Sequence, residues 1–183
     1  VVMDCAQFLF WRNTMSKNTR FLTHAAVIAA LYAVLTHLQN VLLPGSTTWA
    51  IQMRLSEALC VLSFFTPAAI PGLTVGCLVF NVTYAAALPL DFLVGSLATL
   101  LAAGGMWLTR RVTVKGYPLV GMAMPALFNA LLVGWELTVY IGGGFFLNAL
   151  YVALGELAVL LTFGTVLFYA VKKRHLDTKV FSA

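Results

Sequence analysis

Hydrophobic positions run along this chain in long, nearly uncharged stretches, divided by short polar or glycine–proline punctuation. A helix needs about 20 apolar residues to cross roughly 30 Å of hydrocarbon. The pattern predicts six spans. The first covers about 19–43 and stops at Pro44-Gly45; the second starts at Arg54 and stops at Pro67. The others cover about 71–88, 91–109, 118–140 and 146–171. The second holds about a dozen residues, too few to cross upright, and reads as a short, partly buried helix or as one joined to the third. The predicted fold class is an all-α integral membrane protein, a six-helix transmembrane bundle. Residues 1–18 read as an N-terminal extension, with Met15-Ser16-Lys17-Asn18 resembling a natural start. Residues 19–171 form the membrane domain, and 172–183 a basic cytoplasmic tail.

Composition agrees. The 183 residues are 61% hydrophobic and 9% charged, against roughly 45–50% apolar in soluble domains, and the mean hydropathy is +0.93. The net charge of +5 reflects loop placement rather than nucleic-acid binding, because basic loops stay on the cytoplasmic side. With both termini in the cytoplasm, Arg12, Lys17, Arg20, Arg110, Arg111, Lys115, Lys172, Lys173, Arg174 and Lys179 all lie inside, and only Arg54 lies outside. The expected location is the plasma membrane, multi-pass. Cys5, Cys60 and Cys77 form no CxxC pair, and His24, His37 and His175 have no neighbours at metal-ligand spacing. No metal and no cofactor is expected. The chain lacks a phosphate-binding GxxxxGK[ST] loop. Gly95-Ser96 has no partner histidine at matching depth. An enzyme is therefore disfavoured.

The few intramembrane polar residues carry the functional signal. Asp91 opens the fourth span, Glu136 lies near the outer end of the fifth, Glu57 is one turn into the second, and Glu156 sits near mid-depth in the sixth. A carboxylate facing lipid costs a few kcal/mol, so these four are expected to point inward. Asn129 shares a face with Glu136, Asn148 nearly shares one with Glu156, and Asn81 lies three residues from Tyr84. Trp49 and Gln52 precede Arg54, and Trp135 and Tyr140 flank Glu136. The expectation is an outward-opening polar pocket with aromatic walls and no continuous polar file to the cytoplasm. Plainer readings stand beside it. Arg54 and Glu57 also fit an i,i+3 ion pair at a helix start, Asp91 a helix cap, the asparagines interhelical glue, and Trp49 and Trp135 an aromatic belt. On the first helix Ala25, Ala29 and Ala33 recur every four residues, with Ala26 and Ala30 beside them, and Gly72 and Gly76 form a similar row. Such rows let another helix approach closely, either within the bundle or from a separate subunit.

RLSEAL, FFTPAAIPGLTVGC and DFLVGSLATLLAA together resemble the QueT family, substrate-binding S components of energy-coupling factor (ECF) transporters. The resemblance implies a six-helix S-component bundle serving an ABC-type importer. It implies capture of a queuosine precursor, a 7-deazaguanine derivative, from outside, and toppling in the membrane to release it. The implied partners are a transmembrane coupling subunit and two ATPase subunits, with Ala25, Ala29 and Ala33 as the docking row. The residues themselves fit: a carboxylate accepts two adjacent N–H groups of a base edge, and aromatic rings stack on it. Glu57, Glu136 and Glu156 are the leading edge and amine readers, Trp49, Tyr84, Trp135 and Tyr140 the stacking candidates, and Arg54 the group that orients Glu57. The alternatives are an S component for another vitamin or purine-like solute, or an ion-coupled secondary carrier using Glu156.

Overall fold

A computed structural model describes residues 16–46, 53–84 and 87–181. Among them the regular elements are helices, and the one sheet-like pairing is a single bridge between Val114 and Tyr117. Helix α1 is Lys17–Leu42, opened by Ser16, whose hydroxyl accepts from Thr19 N at 3.2 Å. A 3-10 helix, Leu55–Phe64, follows. Then come α2 (Ala69–Thr83), α3 (Asp91–Thr109), the single turn α4 (Leu119–Met122), α5 (Met124–Tyr140) and α6 (Phe145–Val159). A π-turn, Leu160–Gly164, leads into α7 (Thr165–Lys173), and α8 (Leu176–Lys179) ends the described chain.

Among the described residues four helical bodies are long and apolar enough to cross a membrane: Lys17–Leu42, Asp91–Thr109, Leu119–Tyr140 and Phe145–Lys173. The 3-10 helix and α2 are shorter. The six expected spans are therefore not six full-length crossings. Burial is inverted relative to a soluble protein. Val41, Phe146 and Val166 are 70% or more exposed, while Glu57, Glu136 and Glu156 are at most 3% exposed. In water that coat would be one large apolar patch; in lipid it meets hydrocarbon, and the polar groups turn inward.

The helices pack in chain order, α1 on α2, α2 on α3, α3 on α5 and α5 on α6. Small residues set the closest approaches. A Cβ at Gly72 would stand 2.7 Å from the Ala25 carbonyl oxygen, and one at Gly76 would stand 2.8 Å from that of Ala29. Ala33 is buried as well. The row read from the sequence as a docking face thus lies largely against α2, and Ala26 and Ala30 are the alanines exposed on α1.

The 3-10 helix is the centre of the bundle, touching α1, α2, α3, α6, α7 and the π-turn. Ten residues is long for this geometry, which rises about 2.0 Å per residue and eclipses positions three apart. The segment therefore spans about 20 Å, where an α-helix of equal length reaches about 15 Å. Eclipsing stacks Glu57, Cys60 and Ser63 in one column, with Arg54 just ahead of it and Thr66 just beyond. All five are more than nine-tenths buried. These buried groups do not form a connected hydrogen-bonded file, since the Ser63 hydroxyl has no partner among the described residues.

Candidate functional site

The antiparallel order of the helices brings Arg54 at the head of the 3-10 helix, Asp91 at the first residue of α3 and Glu136 in the last turns of α5 to the same end. Arg54 Nη2 donates to Asp91 Oδ2 at 3.4 Å, and Nη1 donates to Cys77 Sγ at 3.9 Å. Its guanidinium carbon lies 5.9 Å from the centre of the Phe80 ring. The sequence reading paired Arg54 with Glu57; the structure corrects this. Arg54 precedes the first helical residue with extended backbone dihedrals, so its side chain leaves the column and crosses to α3. Gly95 makes room for it: a Cβ there would meet Asn81 Nδ2 at 2.8 Å, Asp91 Oδ1 at 3.2 Å and Arg54 Nη1 at 3.8 Å.

Glu57 is held by two donors that sequence reasoning missed. Tyr32 Oη donates to its Oε1, and Cys60 Sγ donates to its Oε2 at 3.1 Å. Tyr32 and Cys60 are fully buried. Cys60 lies three residues from Glu57, a spacing that the 3-10 period turns into contact. Nearby, Thr36 Oγ1 shares a 2.7 Å hydrogen bond with Ser56 Oγ. Gln39 ties α1 to the start of the segment: its Oε1 accepts from Leu55 N at 2.8 Å, and its Nε2 donates to the Met53 carbonyl.

The remaining acceptors are less satisfied. Asn129 Nδ2 donates to Glu156 Oε1 at 3.1 Å, and Asn81 Nδ2 donates to the Asp91 carbonyl at 2.8 Å. Among the described residues, five buried acceptor atoms have no hydrogen-bond partner: Asn81 Oδ1, Asp91 Oδ1, both oxygens of Glu136 and Glu156 Oε2. Two buried groups with a proton to give are also without a partner among the described residues, Arg54 Nε and the Ser63 hydroxyl. Glu136 interacts electrostatically with Asp91 and Arg54, and Glu156 with Glu57 and Arg54. Asp91 thus pairs with the Arg54 guanidinium, while Glu57, Glu136 and Glu156 interact with it electrostatically without an ion-pair contact. An unpaired buried polar group costs about 1–3 kcal/mol, more if charged. The cluster is rich in acceptor oxygens, and three of its carboxyl groups keep at least one oxygen without a partner among the described residues.

The other predicted residues lie elsewhere. Tyr84 stacks on Phe80, centroids 5.1 Å apart, which leaves an aromatic pair beside Arg54. Trp135 and Tyr140 are 49% and 41% exposed on the outer surface of α5 and are not brought to the cluster. Asn148 Nδ2 donates to Thr138 Oγ1 and to the Gly142 carbonyl, each at 3.0 Å. It fastens the turn between α5 and α6, where Gly142 and Gly143 take φ values of +88° and +81°. Trp49 and Gln52 lie outside the described residues. Among the described residues no group of three or more His, Cys, Asp or Glu side chains is arranged to hold a metal ion. Comparison with curated proteins and with solved structures gave no match. One family model, described as QueT transporter, matches residues 22–173.

Proposed function

Because the chain belongs to the QueT transporter family, we propose that it is the substrate-binding S component of an ECF-type importer and captures a 7-deazaguanine precursor of queuosine. The supporting observation is the buried cluster in which Asp91, Glu136 and Glu156 keep acceptor oxygens without a donor among the described residues. Such a site favours a ligand rich in donors and carrying positive charge. A 7-deazaguanine edge presents a ring N–H and an amino group side by side, and one carboxylate accepts both. An aminomethyl substituent adds an ammonium for a second carboxylate. Arg54 Nε is the matching donor for the base carbonyl, and the Phe80–Tyr84 pair offers a face for the ring. Glu57, already holding Tyr32 and Cys60, acts as a positioning residue.

The acceptor atoms are closed off from solvent, so ligand entry requires the surrounding helices to part. In this reading the basic end of the bundle faces the cytoplasm and the carboxylate end faces outward. A coupling subunit with two ATPases then drives toppling and release. Because Ala25, Ala29 and Ala33 lie against α2 or are buried, the coupling subunit meets α1 along its exposed edge at Ala26 and Ala30.

The test is calorimetric titration of the purified, detergent-solubilised protein with aminomethyl- and cyano-7-deazaguanine, the queuine base, and guanine as control. One-to-one binding of one deazaguanine, with guanine much weaker, is expected. Binding of guanine alone, or of another purine-like solute, would move the substrate class. No binding to any of them would remove the deazapurine assignment and leave the family membership standing.

A further inference from the structure

The 3-10 helix Leu55–Phe64 is held at both ends. At its head the tie is Gln39, a buried residue in the last turn of α1. Its Oε1 accepts from Leu55 N, the first N–H of the segment, at 2.8 Å. Its Nε2 donates to the Met53 carbonyl and, at 2.9 Å, to Ser46 Oγ. Thr36 adds a second tie, the 2.7 Å hydrogen bond with Ser56. At its foot the chain passes through Thr66 and Pro67 directly into α2, and Ala69 N donates to the Thr66 carbonyl at 3.2 Å. Between these ends the sequence does not demand the 3-10 form. Residues 54–66 hold no glycine and no proline, and the leucines, glutamate and alanine among them favour an α-helix. The foot already carries an α-type bond. Thr66 N donates to the Leu62 carbonyl, four residues back, at 3.0 Å, beside the three-residue bond from Phe65 N to the same oxygen. Ser63 is fully buried, and its hydroxyl has no partner among the described residues in this form. The neighbouring wall is trimmed as well: at the π-turn Leu160–Gly164, a Cβ on Gly164 would stand 3.2 Å from Val61 Cγ2.

We propose that Gln39 is a latch: it holds residues 55–64 in the long 3-10 form, and its release lets the segment contract into an α-helix. Ten residues rise about 20 Å in the first form and about 15 Å in the second, so contraction shortens the segment by about 5 Å. With α2 fixed by its packing against α1 and α3, the head moves toward the foot. Arg54 moves with it. The contact with Asp91, 3.4 Å long, does not survive a displacement of about 5 Å, so contraction frees the Asp91 carboxylate. Three residues also turn by about 300° in an α-helix instead of about 360°, which takes Ser63 off the face it shares with Glu57. Gln39 is thus a positioning residue. It acts on the carboxylate cluster through the length of the segment, whatever solute the cluster takes.

The test is double electron–electron resonance across the segment in the full chain, reconstituted in lipid nanodiscs. Spin labels are carried by Met53→Cys and Pro67→Cys, both at exposed positions, in a chain that also carries Cys5→Ala. The other two cysteines, Cys60 and Cys77, are fully buried and do not take the label. Three backgrounds are compared: native Gln39, Gln39→Met, and Val41→Met, which alters an exposed position on the same helix. Gln39→Met should gain a population about 5 Å shorter than that of the native background, and Val41→Met should keep the native distance. A lower melting temperature in Gln39→Met with the native distance retained would make Gln39 an ordinary packing residue and overturn the proposal. A broadened distribution without a shorter peak would overturn it too, because the segment would then unravel instead of contracting. If Gln39→Met does not fold, Gln39→Asn carries the same comparison, since an amide one methylene shorter cannot span Leu55 N and the Met53 carbonyl together.

Discussion

Single side chains in this protein are decided by which acceptors find donors. Glu57 finds two, Tyr32 and Cys60, and Arg54 finds Asp91. Tyr32→Phe removes one donor from a fully buried carboxylate and should destabilise the protein by about 1–3 kcal/mol, seen as a lower melting temperature in detergent. An unchanged melt would show that Glu57 does not depend on that bond. Arg54→Gln withdraws the guanidinium that pairs with the buried Asp91. It should cost about 3–5 kcal/mol, as breaking a buried ion pair does, and replacing Asp91 by Asn in the same chain should recover part of the loss. No recovery would argue against their pairing. The inward turn of all four carboxylates was legible from the sequence, because facing lipid is costly. Their partners were not. The choice between Glu57 and Asp91 for Arg54 depends on the backbone at one residue ahead of a helix, which no periodicity reports.

At the scale of elements, the spans at 19–43, 91–109 and 118–140 were readable to within about two residues, since long apolar runs end at charges, prolines or glycines. The second segment was placed and recognised as short, but its geometry was not seen. Its signal is nevertheless in the chain: Arg54, Glu57, Cys60, Ser63 and Thr66 recur every three residues, a period that fits a 3-10 helix and drifts off one face of an α-helix. The alanine row illustrates the opposite difficulty. Small-residue spacing announces close approach without saying which helix approaches. Here α2 supplies Gly72 and Gly76. Gly76→Ala should therefore push α1 away and lower the melting temperature, while Ala30→Leu, on the exposed edge, should leave the melt and ligand binding unchanged and abolish uptake in cells that carry the coupling module. Full uptake by Ala30→Leu would place the coupling subunit elsewhere.

At the scale of the molecule, charge is sorted by end. Lys17, Arg110, Arg111, Lys172 and Lys173 lie at the helix termini that also hold Thr66, and the carboxylate cluster lies toward the other end or in mid-bundle. With Cys5 replaced by Ala, a cysteine at Arg111 should react with an impermeant maleimide only after cells are opened. One at Gly144, where an added Cβ meets nothing, should react on intact cells, and the reverse pattern would invert the topology. The sorted charges surround a centre that carries buried acceptors without donors, an arrangement that costs stability until a ligand supplies them. Glu136 is the clearest case, fully buried with neither oxygen partnered among the described residues. The deciding measurement is a paired one, made on wild type and Glu136→Gln: calorimetric affinity for aminomethyl-7-deazaguanine and the melting temperature of each ligand-free protein. The variant should bind at least about tenfold more weakly and, freed of an uncompensated carboxylate, melt higher by roughly 2–4 °C for each kcal/mol relieved. Wild-type affinity in Glu136→Gln, together with a lower melting temperature, would mean that Glu136 is a structural residue and that the ligand site is not this cluster.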